Sequence, residues 1–386
     1  MIKNKKQILE GSHAVAEIVR RIKPAVVSAY PITPQTHIVE DLEKMKAEGL
    51  ADFEYVRAES EFAAASIVLG ASATGVRTYT ATCSQGLLLM TEVLFNIAGM
   101  RLPVVLTCAN RALSAPINIW NDQQDSVTIR DAGWIQLYGE TNQEIIDLHI
   151  LAYKLAESLQ LPAMVNMDGF VLTHTYEPVE IPNENLIKKY LPKYAPPKNT
   201  ILDVNNPRSL GTFAAPDRYM EIRQELFDDL SASAKEIKKQ NSEFKKVFGR
   251  QIGNGLVEEY KTKDAEIILV AMGSVCGTIK EVIDELRVAG KKVGLLKIIS
   301  FRPFPADEII AALNKARYIA VIDKSISIGA EGILASEVKR AGYNKLRSKI
   351  QGFAVGLGGR DVSKEMIADI VNKVKGKENK VQFIGK

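Results

Sequence analysis

Three stretches of the chain carry residue types able to do chemistry: AYPITPQT (29–36), YVRAESEFAAAS (55–66), and TATCSQGLLLM (80–90) followed by ANRALSAPINIWNDQQDS (109–126). In the first, Thr33 stands between two prolines directly after an apolar run. Proline fixes φ, so the Thr33 hydroxyl is expected on a stiff loop at the carboxyl end of a strand, where open α/β sheets bind ligands. The same residues also suit the start of a helix, with Thr33 or Thr36 as its cap. In the second, Glu59 and Glu61 lead into a run of Ala, Ser and Gly over 63–73. Acids in a first turn commonly serve the helix dipole. An acid set against a close-packed, small-sided helix points instead to burial and proton chemistry. In the third, Ser84 is placed to cap a very apolar helix, GLLLMTEVLF, whose face fits a core or a subunit interface. Arg111 then ends the apolar strand PVVLTCAN. A guanidinium there needs an anion, either Asp122 or Asp125 nearby or a carboxylate of the substrate.

These residues do not make a self-sufficient active site of a familiar kind. The chain has no P-loop, HExxH or GxSxG sequence, so phosphate-loop, zinc-protease and serine-hydrolase chemistry are not indicated. The glycines of AMGSVCG lack GxGxxG spacing and read as a tight turn. His13, His37, His149 and His174 are scattered and read as structural, and no metal ligand set is assigned. Cys83, Cys108 and Cys276 are far apart and form no CxxC, so they read as buried free thiols. An iron–sulfur cluster takes about four thiolates, more than this chain carries.

The elements that must position these residues follow from the pattern. Apolar runs at Ala25–Ala29, Arg77–Ala81, Val104–Cys108 and Ala163–Met167 alternate with helical stretches at Glu59–Ala71, Ser84–Gly99 and Gln143–Leu159. Near-continuous apolar strands between helices predict an α/β fold with a parallel sheet covered on both faces. From Glu177 to about Asp217 the sequence is rich in Pro and Asn, which stop helices and central strands, and an extended arm over the first domain or a partner is expected. A charged helix, broken once or continuous, is expected over Tyr219–Gly249. A second α/β pattern begins near Ala265. Two doubly wound units result: residues 1–250 and residues 251–386.

The bulk properties set further limits. The chain has 386 residues, 46% hydrophobic and 25% charged, with a formal net charge of +4. The basic residues are spread rather than clustered, so no nucleic-acid partner is expected, and the lysines around Lys373 to Lys380 read as a solvated tail. The N-terminal segment shows no apolar secretory core and no run is long enough to span a bilayer, so a cytoplasmic location is expected and no membrane partner.

Together the stretches AYPITPQT, AESEFAAASIVLGASATG, TATCSQGLLLM, ANRALSAPINIWNDQQDS and the later MDGFVLTH resemble the alpha subunits of 2-oxoacid:ferredoxin oxidoreductases, the pyruvate enzymes and their branched-chain relatives. The resemblance runs over nearly the whole chain. It implies a thiamine-diphosphate pyrimidine domain followed by a transketolase C-terminal-like domain, the latter matched by AMGS and ISFRPFP. It further implies that Thr33 and Arg111 contact the oxoacid, the arginine through its carboxylate. Glu61 would hydrogen-bond the aminopyrimidine of thiamine diphosphate and promote loss of the C2 proton. Glu61 is preferred to Glu59 because the family's glutamate follows a serine, as in Ser60–Glu61. The family's diphosphate and magnesium loop, a GDG followed by an asparagine, is missing, as are ferredoxin-type cysteine runs. The resemblance therefore implies a beta subunit holding the diphosphate and magnesium, with gamma and ferredoxin-like delta subunits, and iron–sulfur clusters only on partners. The expected reaction takes a 2-oxoacid, foremost pyruvate, coenzyme A and oxidised ferredoxin to acyl-CoA, CO2 and reduced ferredoxin, or the reverse. A 2-oxoisovalerate enzyme and a noncatalytic scaffold remain alternatives. An oxalate-acting relative fits less well, because a second carboxylate calls for a cation where Thr33 stands.

Overall fold

In the computed structural model, which describes residues 6–376 and 380–385, two sheets carry the architecture. The first has seven strands in the order Ser300–Arg302, Ile135–Tyr138, Ala163–Asp168, Val105–Asn110, Thr78–Thr82, Val26–Ala29, Glu54–Arg57. Every neighbouring pair is parallel except Ser300–Arg302 against Ile135–Tyr138. The four strands from Ile135–Tyr138 to Thr78–Thr82 are buried at every residue, as expected when helices cover both faces of a sheet. The chain passes from Val26–Ala29 outward to Glu54–Arg57 and then back across to Thr78–Thr82. The strand order therefore reverses between Val26–Ala29 and Thr78–Thr82, and a crevice opens at their carboxyl ends.

The second sheet has six strands, ordered Gln382–Phe383, Lys349–Ala354, Tyr318–Asp323, Ile267–Ala271, Val293–Ile298, Val257–Tyr260. Only the last pair is antiparallel. Of the lysine-rich stretch 373–380, residues 377–379 lie outside the described residues, and Lys373, Lys375 and Lys380 are exposed. Beyond it, residues 382–383 add an edge strand, Gln382 and Phe383 pairing with Phe353 and Ala354. The turn after Ile267–Ala271 is tight, with Gly273 at φ +80° before the helix Val275–Val288.

Several helices differ from the pattern reading in instructive ways. The stretch 84–99 divides at Met90 into Ser84–Leu89 and Thr91–Gly99. Residues 216–248 form one unbroken helix, begun by Pro216 in its first turn and ended by Gly249 at φ +75°. In the arm, Tyr176–Val179 pairs antiparallel with Gln7–Glu10, and Glu184–Tyr190 is helical. The rest returns over the first sheet's helices, where the Leu202 amide donates to the Ala73 carbonyl at 2.8 Å.

Buried charges join the two sheets. Lys297, 1% exposed, donates to Glu144 at 2.6 Å, Glu140 at 2.7 Å and Glu258 at 3.0 Å. Burial opposes its charge, but those three carboxylates hold its pKa above the ordinary lysine value. Asp168, at the carboxyl end of its strand, accepts from the Ser274 amide at 2.9 Å and lies 3.4 Å from Lys324.

Candidate functional site

The loop after Val26–Ala29 is pinned by Gln35. Its side-chain amide donates to the Ala81 carbonyl at 2.9 Å, and its oxygen accepts the Ile32 amide at 3.2 Å. Gln35 also precedes the helix Thr36–Ala47 without a side-chain cap bond. Neither Thr33 nor Thr36 caps that helix, which leaves the Thr33 hydroxyl on an exposed loop at the mouth of the crevice.

Arg111 is only 6% exposed, and its guanidinium is bonded to backbone carbonyls: Nε donates to Asn118 and Nη1 to Thr33, each at 2.8 Å. Thr33 and Arg111 are therefore in direct contact. Among the described residues no carboxylate lies within ion-pairing distance of the Arg111 side chain, so neither Asp122 nor Asp125 neutralises it. Asp125 has a different task. Fully buried, it accepts the backbone amides of Ser84 and Arg111, both at 2.9 Å, that of Ser126 at 2.7 Å, and the Asn110 side-chain amide at 2.9 Å. Burial raises its pKa, against the pull of these donors. One carboxylate thus ties the ends of two adjacent strands together.

Ser84 sits at the resulting bend with φ +48°, the left-handed region that a residue with a Cβ enters only under constraint. Its amide is held by Asp125 and its hydroxyl donates to the Ala112 carbonyl at 2.5 Å. The cap position belongs to Cys83 rather than Ser84. The Cys83 thiol, 3.2 Å from the Thr33 carbonyl, is pushed well up by burial, so it supplies no thiolate at neutral pH.

Glu61 opens the helix Glu61–Ala73, whose cap is Ser60, accepting the Ala63 amide at 3.1 Å. Glu61 is 7% exposed, whereas Glu59 lies in the exposed bend before the helix. The Glu61 carboxylate rests over Gly86: a Cβ there would fall 2.6 Å from Glu61 Oε1 and 2.5 Å from Thr82 Oγ1. The Thr82 hydroxyl is buried without a hydrogen-bond partner among the described residues. Gly86 belongs to the short helix Ser84–Leu89. Thr33, Glu61 and Arg111 all lie beyond the carboxyl ends of first-sheet strands.

Part of the site comes from residues the sequence did not single out. Asn118, whose carbonyl holds Arg111, donates through its side chain to the Gly358 carbonyl at 3.0 Å, and the Gly358 amide donates to Asp122 at 3.1 Å. Burial pushes the Asp122 carboxyl up to about 6. A turn of the C-terminal half therefore braces the Arg111 loop. The run VGLGG was a visible signal for a tight turn, but not for its contact.

The sheet order and the crevice at its reversal define an α/β fold with a ligand-binding edge at the carboxyl ends of its strands. Residues 17–242 match the family described as pyruvate flavodoxin/ferredoxin oxidoreductase, thiamine diphosphate-binding, and residues 265–367 match pyruvate:ferredoxin oxidoreductase core domain II. The chain belongs to the pyruvate:ferredoxin oxidoreductase family. It is 50% identical over 98% of both chains to a protein named pyruvate synthase subunit PorA from Methanothermobacter thermautotrophicus. Its likeness to the PorA of Methanocaldococcus jannaschii is 49%, over 98% of this chain and 97% of that one. A ketoisovalerate oxidoreductase subunit VorA from Pyrococcus horikoshii is 41% identical over 96% of this chain and 94% of its own. Among solved structures, the 2-oxoglutarate:ferredoxin oxidoreductase of Magnetococcus marinus, described with 2-oxoglutarate, coenzyme A and succinyl-CoA bound, superposes with a TM-score of 0.74 at 20% identity. That match covers 96% of this chain and 65% of the longer one, and at this identity it speaks for the fold.

Proposed function

We propose that this chain is the alpha subunit of a pyruvate synthase, supplying the pyrimidine side and the oxoacid-binding arginine of a thiamine diphosphate site completed by a partner subunit. The observation that carries the reading is Arg111, a buried guanidinium held by two carbonyls and matched by no carboxylate among the described residues, at the crevice where the sheet order reverses. Such a group is poised to take the carboxylate of a 2-oxoacid, and the exposed Thr33 hydroxyl beside it to donate to a second substrate oxygen. Pyruvate is preferred to 2-oxoisovalerate because the PorA relatives share more of this sequence than the VorA relatives do.

The residues fit the cofactor. The Glu61 carboxylate and the unpartnered Thr82 hydroxyl face the same glycine-floored notch, which a polar ring edge would satisfy. Thiamine diphosphate supplies the electron sink that lets a 2-oxoacid lose CO2. Glu61 would accept a hydrogen bond from the pyrimidine edge and hold the proton that moves there, while Ser60 and Gly86 fix its position. The apolar side chains of Val56, Phe62, Leu89 and Phe95, neighbours of the notch in sequence, are exposed. A partner covering them would exclude water from the half-site. That partner, a beta subunit, would hold the diphosphate and magnesium. Gamma and ferredoxin-like delta subunits would complete the enzyme, with iron–sulfur clusters on partner subunits passing electrons to ferredoxin and coenzyme A as co-substrate. Among the described residues no helix is long and apolar enough to cross a membrane, and a cytoplasmic location is part of the proposal.

The test is turnover by the co-purified complex offered pyruvate, 2-oxoisovalerate or oxalate separately, beside the isolated chain. Pyruvate should give the highest kcat/KM, and the chain alone should reduce no ferredoxin and contain no iron. Turnover by the isolated chain would end the split-site reading; a preference for 2-oxoisovalerate would end the assignment to pyruvate.

A further inference from the structure

Away from the thiamine notch, the fold gathers three potential metal ligands that are far apart in sequence. Glu10 ends the strand Gln7–Glu10, His37 is the second residue of the helix Thr36–Ala47, and His174 follows the Ala163–Asp168 strand in the MDGFVLTH segment. One ligand atom from each lies within 4.8 Å of the other two. Glu10 Oε1 is already 2.8 Å from His37 Nδ1, and the two imidazole rings face each other with centroids 4.7 Å apart. The other group of this kind, Glu140, Glu144 and Glu258, has its charge matched by Lys297 and needs no cation.

We propose that Glu10, His37 and His174 form a binding site for a borderline transition-metal cation such as zinc or cobalt(II). Two imidazoles with one carboxylate suit such ions, whereas magnesium and calcium prefer oxygen ligands alone. Metal–ligand bonds of about 2.0–2.2 Å place tetrahedral donors about 3.3 Å apart, so the cluster must close by about 1.5 Å or less. Rotation of the exposed His37 side chain can supply that movement. His174 is braced for the role. Its Nδ1 lies 2.7 Å from the hydroxyl of buried Thr173, which also accepts the Phe170 amide at 2.8 Å. With Nδ1–H donating to that oxygen, the Nε2 lone pair is left for a cation, the outer-shell arrangement that fixes ligating histidines. Stacking on Phe170, centroids 4.7 Å apart, holds the ring plane.

A cation here would fasten the helix that follows the Thr33 loop to the N-terminal strand and to the segment after Asp168. It would act as a clip on the crevice rather than as part of its chemistry. The probe is cobalt(II), titrated into the purified full chain and followed by its visible absorption and by calorimetry. The expected result is one ion per chain with imidazole-type spectra, and a rise in melting temperature on adding zinc. His174→Gln and Glu10→Gln should each abolish the stoichiometric phase, and Thr173→Val should weaken it by about 10–100-fold, the range for outer-shell partners. Absence of stoichiometric binding by the wild-type chain would overturn the proposal. So would binding of unchanged affinity in the His37→Gln/His174→Gln double variant.

Discussion

Replacing Arg111 with alanine separates its two possible roles. A guanidinium paired to a buried aspartate would, when removed, strand a carboxylate at a cost of about 3–5 kcal/mol. The structure leaves no such orphan, because the Arg111 side chain is bonded to the carbonyls of Thr33 and Asn118. Asp125 keeps its donors, since it holds the Arg111 backbone amide, which alanine retains. What is lost is two charge-assisted bonds to carbonyls at a crevice that water can enter, about 1–3 kcal/mol in all. Substrate binding should suffer more. Losing a charge-assisted contact to the oxoacid carboxylate is worth about 2–4 kcal/mol, or about 30- to 1000-fold in kcat/KM. Arg111→Lys should recover part of this, because the ammonium keeps the charge and loses the planar fork. The assay is steady-state kinetics of the assembled complex with pyruvate and with coenzyme A varied in turn, beside thermal melting. The expected pattern is a large fall in kcat/KM for pyruvate, little change for coenzyme A, and a small fall in melting temperature. A large loss of stability with normal kinetics in the surviving enzyme would refute the reasoning.

Lys297→Met should destabilise the chain by about 3–5 kcal/mol in urea denaturation, because Glu144 loses its cation and Glu140 and Glu258 keep only Lys280. A loss below about 1 kcal/mol would show that the cluster relaxes by taking up protons. Asp122 titrates near 6 in the fold against 3.8 ordinarily. The native state thus binds more protons than the unfolded state between those values, and this group's contribution to stability falls as pH rises through that window. The stability of Asp122→Asn relative to wild type should therefore climb between about pH 4 and 6 and level off above, by about 2–3 kcal/mol in total. A flat difference would mean that Asp122 is not held in a desolvated site.

The central strands were legible because burial on both faces leaves a continuous apolar run, as in VVLTCAN and AMVNMD. Three strands of the first sheet escaped. Glu54–Arg57 is an edge strand with charged, largely exposed residues, and Ile135–Tyr138 has the buried polar Gln136, which donates to the Ser126 carbonyl at 2.9 Å. Ser300–Arg302 could not be placed from local pattern, since a three-residue strand takes its meaning from the Ile135–Tyr138 edge it joins. At the site, Thr33, Glu61 and Arg111 were visible as chemistry at the ends of strands. The choice between Glu61 and Glu59 rested on resemblance, and burial now distinguishes the two residues. Asp125 was read as a candidate counter-ion, yet it mainly holds backbone amides, those of Ser84, Arg111 and Ser126, which carry no sequence signal. The likeness of His37 and His174 as neighbours was hidden for the same reason: 4.7 Å in space is set by the fold, not by spacing along the chain.

The most direct test of the half-site is exchange of the thiamine C2 proton for deuterium in the assembled complex carrying Glu61→Gln or Glu59→Gln. Glu61 is buried beside the glycine-floored notch, while Glu59 is exposed outside the helix. Glu61→Gln should leave the subunits assembled and slow exchange by about 10²–10⁴-fold, the scale of general acid–base catalysis. Glu59→Gln should leave the rate close to that of the wild type. Normal exchange in Glu61→Gln, or a loss confined to Glu59→Gln, would contradict the account.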